Sequence, residues 1–152
     1  MSTAIRDDLA SLLAVKLGSV IEEYRLKVIR VDDVEALVVG SNYALRFAAD
    51  RDSLDVAYIE RNNRSRLASY TLRPLVMQRF TPEDRANYGH PVTVKDRLLA
   101  SLSVYASGLA NRCRDVLSGD KSWLRRRDSW GEENPSFAIE QLLQGELSES
   151  RR

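Results

Sequence analysis

The chain has 152 residues, 43% of them hydrophobic and 30% charged, and a formal net charge of +1. That length supplies core for one ordinary domain and starves two, and the composition is that of a folded globular chain, which excludes wholesale disorder. The near-neutral balance hides an uneven spread: residues 1–60 carry 7 basic and 11 acidic side chains, residues 61–130 carry 14 and 6, and residues 131–152 carry 2 and 5.

A basic middle between acidic ends reads either as segments that neutralise one another on folding or as an anion-binding face. The opening stretch MSTAIRDDLASLLAVKLG lacks a basic leader, and Arg6, Asp7, Asp8 and Lys16 interrupt its apolar run. It reads as neither a signal peptide nor a membrane span, so a cytoplasmic protein is expected. Ile5, Leu9, Leu12, Leu13, Leu17, Val20, Ile21 and Tyr24 recur at helical spacing, which predicts one amphipathic helix over residues 4–24 with Gly18 as its weak point. From Leu26 the pattern becomes β-branched: LKVIRV, VEALVVG, YALRFAA and LDVAYIE are predicted strands. The polar stretches Asp32-Asp33, Gly40-Ser41-Asn42 and Asp50-Arg51-Asp52-Ser53 between them are of hairpin length, which makes the strands an antiparallel meander. In the third strand Tyr43, Leu45, Phe47 and Ala49 point one way, which marks one core face.

Residues 61–72, RNNRSRLASYTL, hold three arginines and no acid, and RPLVMQRF after them reads as a fifth strand that Pro74 restricts to an edge or a strand start. TPEDRANYGHP reads as a loop. Thr93 and Asp96 form a capping-box pattern that opens a long helix lined by Leu98, Leu102, Tyr105, Leu109, Cys113 and Val116, with Gly119 where a left-handed C-cap is expected. Residues 135–147 predict a short final helix with Phe137, Ile139, Leu142 and Leu143 as its apolar positions. The expected architecture is α+β: an N-terminal helix, an antiparallel meander of four to five strands, and a long helix and a short C-terminal helix covering one sheet face. One domain spans residues 1–147 in this reading, and residues 148–152 are a frayed tail.

Chemistry is sparse. Gly119-Asp120-Lys121-Ser122 shares a Gly, a Lys and a Ser with the end of a phosphate loop. The upstream glycine is missing, however, Asp120 separates Gly from Lys, and the segment follows a helix instead of leading into one. A helix cap is the expected role, and Lys121→Ala is expected to be silent. Cys113 is the only cysteine and His90 the only histidine, so a structural zinc site of the usual kind is excluded, and no nucleophile-elbow pattern accompanies them. The aspartate pairs Asp32-Asp33 and Asp50/Asp52 sit in turns, where aspartate serves local backbone hydrogen bonds. No catalytic residue, metal or cofactor is therefore assigned, and a non-catalytic role is expected. Two surfaces remain. Trp123, Arg125, Arg126, Arg127 and Trp130 have the composition of a partner-binding hot spot, although a tryptophan beside a helix end also serves as a core lid. Arg61, Arg64, Arg66, Arg73 and Arg79 with Tyr70 form a basic stretch interleaved with aromatics, as nucleic-acid binders do.

The stretch DRLLASLSVYASGLANRCRDVLSGDKSWL, a long helix closing in L-x-G-D-x-x-W, resembles the C-terminal helix of small bacterial immunity proteins. It covers under a third of the chain and carries no catalytic residue across. The resemblance implies a cytoplasmic protein that neutralises a cognate toxin by direct binding, with another protein as partner. Immunity proteins facing basic nucleases are often acidic and this chain is not, so a nuclease partner is not favoured. The alternatives are a nucleic-acid-binding domain using the Arg61–Arg79 segment and a chaperone-like scaffold for a secreted effector.

Overall fold

The computed structural model describes residues 8–51, 53–61, 66–125 and 133–147; residues 148–152, expected to fray, lie outside them. Helix α1 (Leu9–Lys16) starts where the Asp8 carboxylate accepts from the Ser11 amide at 3.0 Å. The chain bends at Leu17, with φ −102° and ψ 18°, and α2 (Gly18–Tyr24) follows. Residues 4–7 of the single helix expected over residues 4–24 lie outside the described residues, and the rest is two helices, with the break beside the glycine that lowers helix propensity. Leu9, Leu13, Leu17 and Val20 stay buried across the bend, so the apolar stripe that suggested one helix is continuous although the helix is not.

Five strands follow as a meander: β1 (Lys27–Asp32), β2 (Glu35–Val39), β3 (Ala44–Asp50), β4 (Ser53–Arg61) and β5 (Leu67–Thr71), hydrogen-bonded in sequence order and all antiparallel. The fifth strand is LASYT, not RPLVMQRF. The latter is helix α3 (Arg73–Arg79), because Pro74 falls in a first helical turn, where its missing N–H leaves no bond unmade. The stretch read as a loop holds a turn of helix, α4 (Pro82–Arg85), opened by a Thr81–Asp84 capping box, and a 3₁₀ turn at Ala86–Tyr88. Helix α5 (Val94–Arg112) opens with the Thr93–Asp96 capping box as the sequence implied. It ends at Cys113, one turn short of the expected stop, and α6 (Arg114–Leu117) continues the path. The one-turn α7 (Ser122–Arg125) and α8 (Phe137–Leu142), capped by Ser136, complete the described chain.

The α+β class and the order of elements are those expected, but α8 lies on the other side of the sheet from the remaining helices. On the first face, Ala36, Val38, Leu45, Phe47, Val56 and Tyr58 pack against α1, α2 and the α5–α6 run. On the second, Leu37, Val39, Ala44, Ile59 and Leu67 pack against Ile139, Leu143 and Leu147. The register pairs Leu45 with Tyr58 and Ala44 with Ile59, so alternate rows of one sheet feed two separate cores. Beyond the reach of α8 the second face turns polar: Arg46 bonds Glu35 and lies 3.6 Å from Asp55. The outer edge of β5 is bridged by Glu133, which exchanges both backbone hydrogen bonds with Ser69 at 2.7 and 2.8 Å. Among the described residues no helix is long and apolar enough to cross a membrane.

Candidate partner-binding surface

The segment after α6 is bound down along its length. Gly119 takes φ +91°, the left-handed cap the sequence indicated, and its carbonyl accepts from the Asn42 side-chain amide at 3.1 Å. The Tyr43 hydroxyl donates to the Leu117 carbonyl at 2.9 Å. Lys121 then turns inward: its ammonium donates to the Asn42 carbonyl at 2.7 Å and to the Glu60 carboxylate at 2.9 Å, 5.4 Å from the centre of the Tyr58 ring. Both side chains of that ion pair are only 11% exposed. Trp123 closes the site, edge-on to Tyr58 with ring centres 4.8 Å apart, and is 5% exposed. Of the two roles open to Trp123 the structure takes the core lid, so this indole is not an exposed anchor. Lys121 is a structural cation, which corrects the expectation that removing it would be silent. Arg125 ends α7, while Arg126, Arg127 and Trp130 lie outside the described residues.

A second polar network ties the helices together. The Asp84 carboxylate is 2% exposed and accepts from Ser107 at 2.6 Å, from the Thr81 amide and hydroxyl at 3.0 Å each, and from Arg112 at 3.4 Å. Burial alone raises its pKa, but the hydrogen bonds from Ser107 and Thr81 outweigh it and hold the carboxyl well below the usual range. Arg79 forks onto Asp115 at 2.7 and 3.0 Å and donates to the Arg112 carbonyl at 3.1 Å. Beside this pair the Cys113 thiol is fully buried, and burial pushes its pKa up to about 11. His90 lies exposed in the loop before α5. Asp32 holds its hairpin turn by accepting from the Val34 amide at 2.9 Å, and Asp33 bonds Arg30; Asp52 lies outside the described residues. No cluster of three or more histidines, cysteines, aspartates or glutamates fit to hold a metal exists among the described residues.

The arginines of the basic stretch do not form one face. Arg61 and Arg66 flank the end of the sheet, whereas Arg73 and Arg79 lie beyond the other end of β5, a strand length of about 17 Å away. Arg79 is engaged by Asp115, the Tyr70 hydroxyl is 3.5 Å from Glu60 in the Lys121 site, and Arg64 lies outside the described residues. What the fold does bring together is a groove of about 250 Å³ lined by Arg61, Arg66, Leu67, Glu140, Gln141 and Gln144. Arg61 also donates to the Leu147 carbonyl at 3.3 Å, which fixes one wall to the other. Phe137 precedes Gln141 by one helical turn and is therefore its neighbour on α8. Its ring is 75% exposed, because α8 spends Ile139 and Leu143, on the opposite side, on the core. Of the apolar positions expected on this helix, Ile139 and Leu143 are buried and Phe137 is not. Two residues of helix turn a side chain by about 200°, which was the available signal that Phe137 and Ile139 cannot share a face. No family model, curated protein or solved structure matches the chain.

Proposed function

We propose that this domain is a non-catalytic protein-binding module that acts as immunity proteins do, by seating directly on a cognate toxin. The observation that carries the reading is Phe137, a large aromatic residue left 75% exposed on a helix whose Ile139, on the other side, is core. Aromatic residues are enriched among interface anchors, and one left exposed on a helix fits that role. The internal engagement of Lys121, Glu60, Arg79, Asp115 and Asp84 supports it further, since these groups serve to hold the scaffold. Arg125, Arg126, Arg127 and Trp130 belong to the proposal by composition alone. The nucleic-acid alternative loses support because Tyr70 and Arg79 are turned to internal partners.

The test is co-expression with a toxin encoded beside this chain, followed by size-exclusion chromatography. A stoichiometric complex that persists as salt rises from about 50 to about 200 mM is expected, because apolar anchors are little screened. A chain that elutes alone, yet binds oligonucleotides with an affinity that collapses over the same range, would replace this reading with the nucleic-acid one.

A further inference from the structure

We propose that this domain pairs with a second copy of itself through the outer edge of β1, as an isologous antiparallel dimer centred on Ile29. The inference goes beyond toxin binding and does not rest on it.

β1 is the outermost strand on its side of the sheet, and the ladder fixes which of its main-chain groups face out. The Gly40 N–H donates to the Tyr43 carbonyl and the Ala49 N–H to the Val34 carbonyl, both at 2.8 Å, so the even-numbered residues of β2 bond toward β3. The odd-numbered Leu37 and Val39 therefore bond their partners Ile29 and Lys27, and the N–H and C=O of Val28 and Arg30 point away from the sheet. Both ends of this edge are closed: the Leu26 N–H donates to the Ile21 carbonyl, and the Asp33 carbonyl accepts from the Leu9 N–H, each at 2.9 Å. Among the described residues none bonds the main-chain groups of Val28 and Arg30 on that outer side. A row of alternating donors and acceptors of this kind is matched by another strand.

The strand that fits is β1 itself. A two-fold axis through Ile29 sets Val28 of each copy opposite Arg30 of the other and satisfies every outward group in both. Ile29 then faces Ile29 of the second copy at a non-hydrogen-bonded position, where the Cβ atoms approach to about 5 Å. Ile29 and Val31 are half-buried against the second core and Val28 against the first, so both cores run to this edge and stop open. The cations of the edge bring their own partners, since Arg30 bonds Asp8 and Asp33 and Lys27 bonds Glu146. The register shift of β1 lies beyond Arg30 and leaves the paired stretch regular. At the opposite edge of the sheet Glu133 already holds both main-chain groups of Ser69, which opposes a head-to-tail run of β1 onto β5 and favours the closed dimer.

Sedimentation velocity of the full chain reads the assembly. An edge this short buries less than the roughly 800 Å² per partner of a standard interface, so the series should reach about 500 µM. Wild type should pass from monomer toward dimer as concentration rises. Val28→Pro removes an outward N–H and none that bonds β2, and it should weaken association by about tenfold or more. Register is read by Ile29→Cys in a glutathione redox buffer, where the native Cys113 is buried and does not compete. The thiols introduced at position 29 lie within disulfide reach across the axis, so a covalent dimer should form about tenfold faster than with Val34→Cys, an exposed position in the β1–β2 turn away from the axis. A wild type that stays monomeric throughout, a dimer that survives Val28→Pro in a folded chain, or a link at position 29 no faster than at position 34 would each overturn the pairing. Should Val28→Pro fail to fold, the rate at position 29 decides alone. A monomeric chain whose β1 takes an extended segment of another protein would give the edge to that protein and refute the dimer. Co-expression with the toxin has its own readout, so the dimer and the toxin complex can fail separately.

Discussion

Gly108, in the middle of α5, should respond to alanine in the direction opposite to that expected of a helical glycine. Propensity alone favours Gly108→Ala by about 1 kcal/mol. A Cβ at this position, however, would stand closer than 3.0 Å to three carbons of the Phe80 ring, which lies flat against the glycine. Restoring ordinary contact requires the ring to withdraw by on the order of 1 Å. Phe80 is buried and edge-on to Tyr105 with centres 5.5 Å apart, and Tyr105 is edge-on to Phe47 at 6.0 Å, so three rings must shift together. Overpacking of this kind costs about 1–3 kcal/mol, and losing the burial of Phe80 instead would cost about as much. The clash should therefore win, leaving a net destabilisation of about 1–2 kcal/mol and a melting temperature lower by about 3–6 °C. Gly18→Ala is the internal control: nothing lies within 4 Å of its added Cβ, so it should stabilise by about 0.5 kcal/mol. Urea midpoints of the two variants are the assay. Equal or greater stability for Gly108→Ala would show that the ring yields freely and that the packing argument is wrong.

Three further outcomes are expected. Lys121→Ala leaves the Glu60 carboxylate buried without its cation and should lower the unfolding free energy by about 3 kcal/mol, part of which Glu60→Gln in the same chain should restore; a melting curve that does not move would contradict the buried pair. Asp84 has its folded pKa held below the unfolded value of about 3.9, so its stabilisation is present above that value and is lost as pH falls through the folded pKa. The stability gap between wild type and Asp84→Asn should accordingly narrow when urea midpoints are followed from about pH 6 down to about pH 2, and a constant gap would refute the assignment. The Cys113 thiol should resist a disulfide reagent in the native state and react once urea unfolds the chain; fast labelling of native protein would show that the α5–α6 junction opens.

The meander was legible because each strand carries its own β-branched pattern and each turn its own polar residues, all local signals. Pro74 misled because proline is equally at home at a strand start and in a first helical turn, and α3 is decided by Leu75 reaching the core while Met77 stays exposed. The second core had a local sign, since Leu37, Val38 and Val39 are all buried in succession, as in a strand covered on both faces. Which helix would cover that second face is a question of long-range packing that no window of sequence contains. The Lys121–Glu60 pair, 61 residues apart, was invisible for the same reason, and so was the groove, whose walls come from β4, β5 and α8.

The placement of α8 also sets an order of events for a chain that emerges from the ribosome at about 5–20 residues per second. All five strands and the helices of the first face precede α8 in synthesis, so the first core can close while Leu37, Val39, Ile59 and Leu67 still face outward. A nascent chain halted before Ile139 would present that apolar row to its neighbours on the polysome, with nothing of its own to shield it. Helix α8, made after the whole sheet, thus serves as this domain's own chaperone, and a stop codon or a protease cut just ahead of it should yield insoluble product from a chain that retains nearly all of its sheet.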